Sequence, residues 1–206
     1  KHNLMDNLKN ISGWGLYPNT EANVIEIKND KKYLDLLSNQ FIARGNGRSY
    51  GDSSLGKNII STLNLNQIIS FDKENGQIIL QCGVLLNDLI KIIVPYGWFL
   101  PVSPGTKFIT IGGAIASDIH GKNHHLVGCI SNYVTYFKIL LPGLGEFYCD
   151  KSKNNELFKN TFGGMGLTGV ILRVAIKLRK VESPWIKQNT LFADEVKKKR
   201  KRRVNA

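Results

Sequence analysis

The 206-residue sequence predicts an α+β domain, and two observations carry that reading. Short β-branched stretches crowd the first 81 residues, and helical spacing surfaces between them without settling into a regular βαβ series. Val24–Ile27, Phe41–Arg44, Ile59–Leu63, Ile68–Asp72 and Ile78–Gln81 read as strands. Asp30 can cap a helix running to about Ser38, with Tyr33, Leu34 and Leu37 on one face. Leu85, Leu89, Ile92 and Ile93 recur at the spacing of a second helix. Tyr133–Leu141 and Glu146–Cys149 flank Pro142-Gly143-Leu144-Gly145 as a hairpin. Asn154–Phe162 reads as a third helix, stopped by Gly163-Gly164, and Gly169–Leu178 as the strand that follows. A break falls near Pro184, so residues 12–182 are expected to form the folded domain and 183–206 a disordered basic tail.

At 42% hydrophobic and 21% charged, the composition supports one well-buried soluble domain. Cys82, Cys129 and Cys149 are widely spaced and odd in number, which argues against a disulfide framework or a cysteine zinc site and for a reducing compartment. The longest apolar run, Leu85–Val102, is broken by Asn87, Asp88, Lys91 and Pro95, far short of the roughly 20 clean residues of a membrane helix. Residues 1–10 lack the apolar core of a signal peptide, and a cytoplasmic location is expected. The formal charge of +12 suggests a nucleic-acid partner until it is located: residues 197–203 hold seven cations and leave only +5 elsewhere. Such a run is most simply a solvated tail, so no nucleic acid is expected; a basic nucleic-acid-binding protein is the rival reading of another class.

Four segments carry chemistry. Arg44-Gly45-Asn46-Gly47-Arg48-Ser49-Tyr50-Gly51-Asp52 directly follows a strand, and its glycines permit backbone N–H groups to face one concavity, the way a chain cradles a pyrophosphate. Pro104-Gly105-Thr106 and Thr110-Ile111-Gly112-Gly113-Ala114-Ile115-Ala116-Ser117 form a small-residue stretch that either a flat ligand or a second backbone can approach closely. In Asp118-Ile119-His120-Gly121-Lys122-Asn123-His124-His125, the spacing of His120 and His124 invites a zinc reading. Gly121 and the lack of a Glu after His120 argue against it, and no metal is expected. Gly164-Met165-Gly166-Leu167-Thr168-Gly169 spells the dinucleotide fingerprint, but a helical pattern precedes it and a strand follows, the reverse of what that motif requires.

In this order, together with Gly13-Trp14-Gly15, these segments resemble the FAD-binding (PCMH-type) domain of the vanillyl-alcohol oxidase superfamily. The likeness is greatest to the decaprenylphosphoryl-β-D-ribose 2-oxidase family, and it runs from about Ser12 to Glu182. It implies a two-lobed α+β domain with FAD between the lobes and the pyrophosphate on the loop Ala43 to Ser53. That loop comprises Ala43, Arg44, Gly45, Asn46, Gly47, Arg48, Ser49, Tyr50, Gly51, Asp52 and Ser53. Further implied FAD contacts are Gly105, Thr110, Ile111, Gly112, Gly113, Ser117, Asp118, Ile119, His120 and Ile171. His120 would lie by the isoalloxazine and Lys122 would point toward a phosphorylated substrate, and these two are the catalytic candidates. Many relatives attach flavin through a histidine where this chain has Arg48, so the FAD is expected to be non-covalent. Met165 departs from the small polar residue common in the family. The implied reaction oxidises a secondary alcohol of a phospho-sugar or lipid-linked sugar, with a short-chain reductase completing an epimerisation and peripheral contact with a membrane. An aldonolactone- or alditol-type sugar oxidase is the alternative on the same fold. The family continues into a substrate-binding domain, and the expectation is that this chain is truncated and inactive alone.

Overall fold

The computed structural model describes residues 8–28 and 41–185. The first lobe is a four-stranded sheet of β1 (Leu8–Ser12), β2 (Asn19–Glu26), β3 (Ile42–Arg44) and β4 (Asn58–Ser61), in the order β1-β2-β4-β3. β1 and β2 pair antiparallel, whereas β4 runs parallel to both its neighbours. Because β3 and β4 are adjacent and parallel, the chain between them must cross back from one end of the sheet to the other, and residues 45–57 make that crossing. The expected Asp30–Ser38 helix and the tail from 186 onward lie outside the described residues.

The second lobe follows in the order β5 (Ile68–Asp72), β6 (Gln77–Gln81), α1 (Leu86–Ile93), β7 (Trp98–Phe99), α2 (Ile111–Ala116), α3 (His124–Val127), β8 (Val134–Leu141), β9 (Gly145–Asp150), α4 (Asn155–Thr161), β10 (Val170–Lys177) and β11 (Arg179–Lys180). Five of these strands form an antiparallel sheet, β5-β6-β10-β8-β9, and β7 pairs with β11. The strand and helix positions read from periodicity return within a few residues. β1, which has no clean alternation, and α2, which is built from Gly and Ala, were not anticipated. The Gly164–Gly169 segment lies between α4 and β10, so a helix precedes it and a strand follows, opposite to a Rossmann turn.

Beside a smaller cluster of Ala22, Val24 and Ile59 in the first sheet, a large apolar cluster forms the main core. Phe137 of β8 is fully buried, stacked on Phe158 of α4 at 5.1 Å and edge-on to Phe162 at 5.9 Å. α1 turns Leu86, Leu89 and Ile93 into it at i, i+3 and i+7, leaving Lys91 and Asp88 paired on the outside. Ile27 and Ile60 of the first lobe belong to this same cluster, so the two lobes share a core where β2 and β4 meet the second sheet. At that junction Gly83 N–H donates to Leu65 O at 2.7 Å, Gly112 N–H at the start of α2 donates to Cys82 O at 2.7 Å, and Thr62 N–H, just past β4, donates to Arg44 O at the end of β3 at 3.0 Å.

The β5–β6 turn is closed by Asp72, whose carboxylate accepts from the N–H groups of Asn75 and Glu74 and from the Asn75 amide. These bonds, chiefly the Asn75 N–H, hold its pKa below the ordinary carboxylate value. Gly76 ends the turn at φ +66°, and a Cβ there would overlap the Trp98 ring, which is itself anchored by Nε1–H donating to Lys73 O at 2.8 Å. Gly76→Ala meets both a left-handed backbone and an immovable ring. It should lower unfolding free energy by about 1–3 kcal/mol, read as a lower urea midpoint with unchanged m-value.

Candidate functional site

A cleft of about 790 Å³ opens between the 45–54 crossing and the segment from Pro104 to Ile119. That size lies within the roughly 300–1,000 Å³ of small-molecule and cofactor sites. One wall is the crossing itself. Gly47 adopts φ +61° and Gly51 φ +60°, turns that an L side chain resists. Beneath it runs Arg44, half-buried, its guanidinium donating to Ser12 O at 2.6 Å and Ser54 O at 3.2 Å. Burial lowers the Arg44 pKa from its ordinary value, but a guanidinium remains charged. With Arg44 bracing it from below, the loop presents its backbone outward: among the described residues the N–H groups of 45–49 have no protein acceptor.

The facing wall begins at Thr110, which caps α2 by accepting from Gly113 N–H at 3.1 Å and is itself buried. A Cβ on Gly45 would collide with the Thr110 side chain, so the two walls touch there. A second tie is Asn46 Nδ2 donating to Phe108 O at 2.7 Å. Past this pinch a narrower branch of about 50 Å³ shares Gly45, Ser54, Gly113 and Met165 with the main cleft and ends among Thr62, Cys82, Gly112 and Ile171. Gly112 packs on Cys82, where a Cβ would lie 3.2 Å from the Cys82 carbonyl oxygen. The small-residue stretch divides: Gly112 serves close backbone packing, and Gly113 lines the cleft.

Of the residues expected at the site, Gly45, Asn46, Gly47, Arg48, Ser49, Tyr50, Ser53, Gly105, Thr110, Gly113, Ser117 and Ile119 line the main cleft. Ala43, Gly112 and Ile171 line the branch. Others are not brought to the cavity. Arg44 is committed below the loop, and Ile111 is buried in the core with no exposure. The Asp118 carboxylate accepts from Ser131. Gly51 and Asp52 lie outside the lining, on the turn beyond it. His120 and Lys122 are exposed just past Ile119, on a loop that leaves the cleft wall rather than on the wall itself. His120 lies outside α3, bridged to Cys129, with its ring edge-on to His124 at 5.2 Å.

Trp14, Ser54, Pro104, Thr106, Ile109 and Met165 also line the cleft. Trp14 arrives by tertiary contact: its N–H donates to Ser49 O at 2.8 Å, and Arg48 stacks over its ring at 4.8 Å. Met165 is held at φ +52° with its N–H on Ala116 O, which places it where the two cavities join.

A family model described as FAD binding domain matches residues 16–148. The decaprenylphosphoryl-β-D-ribose oxidase of Mycolicibacterium smegmatis is 36% identical over 187 residues, which is 86% of this chain and 41% of that protein. The L-gulonolactone oxidase of Scyliorhinus torazame is 29% identical over 136 residues, 65% of this chain and 30% of the relative. Among solved structures, an alkyldihydroxyacetonephosphate synthase superposes with a TM-score of 0.67 at 18% identity over 78% of this chain and 34% of its own, a likeness of fold. The chain thus spans about two fifths of the length of the first of these relatives.

Burial sets the reactivity of the three thiols. It pushes Cys82, at the floor of the branch, up to about 12, and it also raises Cys149. Cys129 is raised too, by burial and then by the Asp118 charge, yet it alone is partly exposed. Iodoacetamide at pH 8 should therefore modify Cys129 in the native protein and leave Cys82 and Cys149 unlabelled until denaturant is added, as followed by peptide mapping.

Proposed function

This chain belongs to the FAD-binding-domain family, and from that premise we propose that it is the cofactor-holding part of a flavin-dependent oxidoreductase that oxidises a secondary alcohol of a phospho-sugar. The observation that carries the reading is a row of N–H groups on 45–49 without an acceptor among the described residues, along a glycine-walled cleft of about 790 Å³. The donor set suits the cofactor. Backbone N–H groups fixed by Gly47 and Arg44 match a pyrophosphate, and Arg48 adds a cation that no described carboxylate pairs. Gly113, Ser117 and Ile119 leave room for a flat ring system against α2.

Bound FAD would supply the hydride acceptor for alcohol oxidation. The chain's own groups would orient and protect. The 45–49 amides would hold one end of the cofactor, Thr110 would keep the pinch closed by capping α2, and Met165 would cover the mouth of the branch. His120 and Lys122, exposed beyond Ile119, would meet the substrate rather than the cofactor's phosphates. There Lys122 suits a phosphate, and His120 suits handling the hydroxyl proton. The product would be a ketone, which a partner reductase could return as the epimeric alcohol. A lipid-linked substrate would bring the protein to a membrane surface. Among the described residues no helix is long and apolar enough to cross a membrane. Identity to a gulonolactone oxidase favours a second reading, an aldonolactone-type sugar substrate, and trials with the two substrate classes on a full-length version separate them.

Two outcomes test the cofactor reading. Purified protein should bind FAD that acid or heat releases, because Arg48 offers no ring nitrogen for a covalent bond; flavin retained on precipitated polypeptide would overturn the non-covalent assignment. Gly47→Val should abolish FAD binding in a folded chain, because its side chain meets both a φ of +61° and the Arg44 guanidinium. Flavin titration of the variant, with far-UV circular dichroism to confirm folding, is the measurement.

A further inference from the structure

Between α2 and β8 the chain makes an excursion that leaves the cleft wall at Ile119 and returns at Ile130, carrying His120, Lys122, His124 and His125. Its neck is tied three ways. Ile130 N–H donates to Ile119 O at 3.0 Å, and His120 bridges Cys129. The third tie is Asp118. One carboxylate oxygen accepts the Ser131 N–H and the other the Ser131 Oγ–H, both at 3.1 Å. Asp118 reaches Ser131 from φ +40°, a left-handed conformation that Asp and Asn tolerate better than other side chains. The far end of the excursion is held by Tyr133 Oη–H donating to Val127 O at 3.0 Å.

We propose that the Asp118–Ser131 clasp is a positioning device. It fixes the neck of this loop, so that Ser117 and Ile119 stay in the cleft wall and His120 is held beside the cleft mouth. The proposal rests on the FAD reading of the cleft for its purpose, but not for its geometry. Asp118 sits between two wall residues, Ser117 and Ile119, while its own carboxylate turns away from the cavity. A charge placed there to touch the ligand would leave its oxygens free; instead both are spent on the returning strand of the neck. A bidentate, charge-assisted contact also resists twisting more than a single bond does, and twist at the neck is the motion that would swing His120 away from the mouth.

The test uses the whole chain and three variants. Asp118→Gly keeps the left-handed backbone and removes the acceptor, Ser131→Ala removes the hydroxyl arm with little else changed, and Asp118→Asn keeps the backbone and one acceptor. Two readouts follow: the rate of Cys129 modification by iodoacetamide without FAD, and FAD affinity together with the visible circular dichroism of the bound flavin. Loss of a charge-assisted bond should weaken FAD binding by about tenfold in Asp118→Gly. Faster Cys129 labelling there also reflects removal of the Asp118 charge that raises the thiol, so loosening of the neck is read from Ser131→Ala, which keeps that charge. The flavin dichroism should change in the same variant. Asp118→Asn should recover part of each effect. Ser131→Ala should shift both in the same direction, and the double variant Asp118→Gly/Ser131→Ala should be no worse than Asp118→Gly alone. Wild-type affinity and dichroism in Asp118→Gly, a wild-type labelling rate in Ser131→Ala, or effects that add in the double variant, would overturn the clasp. A wild-type chain that takes up no FAD would overturn the cofactor reading instead, and the labelling rate of Ser131→Ala, which keeps the Asp118 charge beside Cys129, would still decide whether the clasp holds the neck.

Discussion

The geometry of the cleft depends on one half-buried cation. Arg44 stands at the last position of β3, where a strand side chain can turn under the chain that follows, and its guanidinium grips the Ser12 and Ser54 carbonyl groups from two directions. Those carbonyls belong to the end of β1 and to the far side of the crossing, so one residue closes the loop on itself and onto the sheet edge. Removing a charged donor from water is costly unless its protons find acceptors, and here they find two main-chain oxygens. Gly47 is part of the same constraint, because the guanidinium occupies the space a Cβ would need. With the underside taken, the N–H groups of 45–49 are left without a protein acceptor among the described residues.

Much of this was legible in the sequence because it is local. Strands such as β6 and β10 announce themselves through Ile and Val, and α1 through its apolar spacing. The order of helix and strand around Gly164–Gly169 could be read before any coordinates and excluded a Rossmann turn. What escaped is tertiary. β1 is an edge strand whose Lys9 and Asn10 need no alternation, because one face meets water. Trp14 reaches the cleft only because its N–H finds Ser49 O. Arg44 and Asp118 look like ligand contacts by type and position, yet each is turned onto main-chain or side-chain groups of its own fold. A sequence shows that a charge is present near a site, and only packing shows which way it points.

Electrostatics around the cleft follow from the same bookkeeping of partners. The ion pairs among the described residues, Lys9–Glu26, Lys91–Asp88 and Lys138–Glu146, are exposed and away from the cleft. Each contributes at most about 1 kcal/mol. Arg48 has no acidic partner among them and rests on the Trp14 ring, an arrangement that keeps its stem ordered while its charge stays uncompensated. The cleft wall is thus cationic without a cluster of lysines, and the net +12 of the chain says little about it, since seven of those charges sit at 197–203.

Backbone donors and side-chain cations differ in what they can select. A lysine or arginine at a surface must be ordered on binding, and that ordering takes back roughly 0.5–1.5 kcal/mol per side chain. The amides of 45–49 are ordered already, by Gly47 above Arg44 and by the Asn46 tie to Phe108 O, so a pyrophosphate meeting them incurs no such cost from the protein. The walls make the same choice. Gly113 and Ser117 present little side chain to rearrange, and α2, only six residues long, is locked by the Thr110 cap at one end and by packing on Cys82 at Gly112. A site built this way discriminates by shape and by fixed dipoles. The long side chains are kept apart from this wall: Arg48 rests on the Trp14 ring, and His120 and Lys122 are exposed on the loop beyond Ile119.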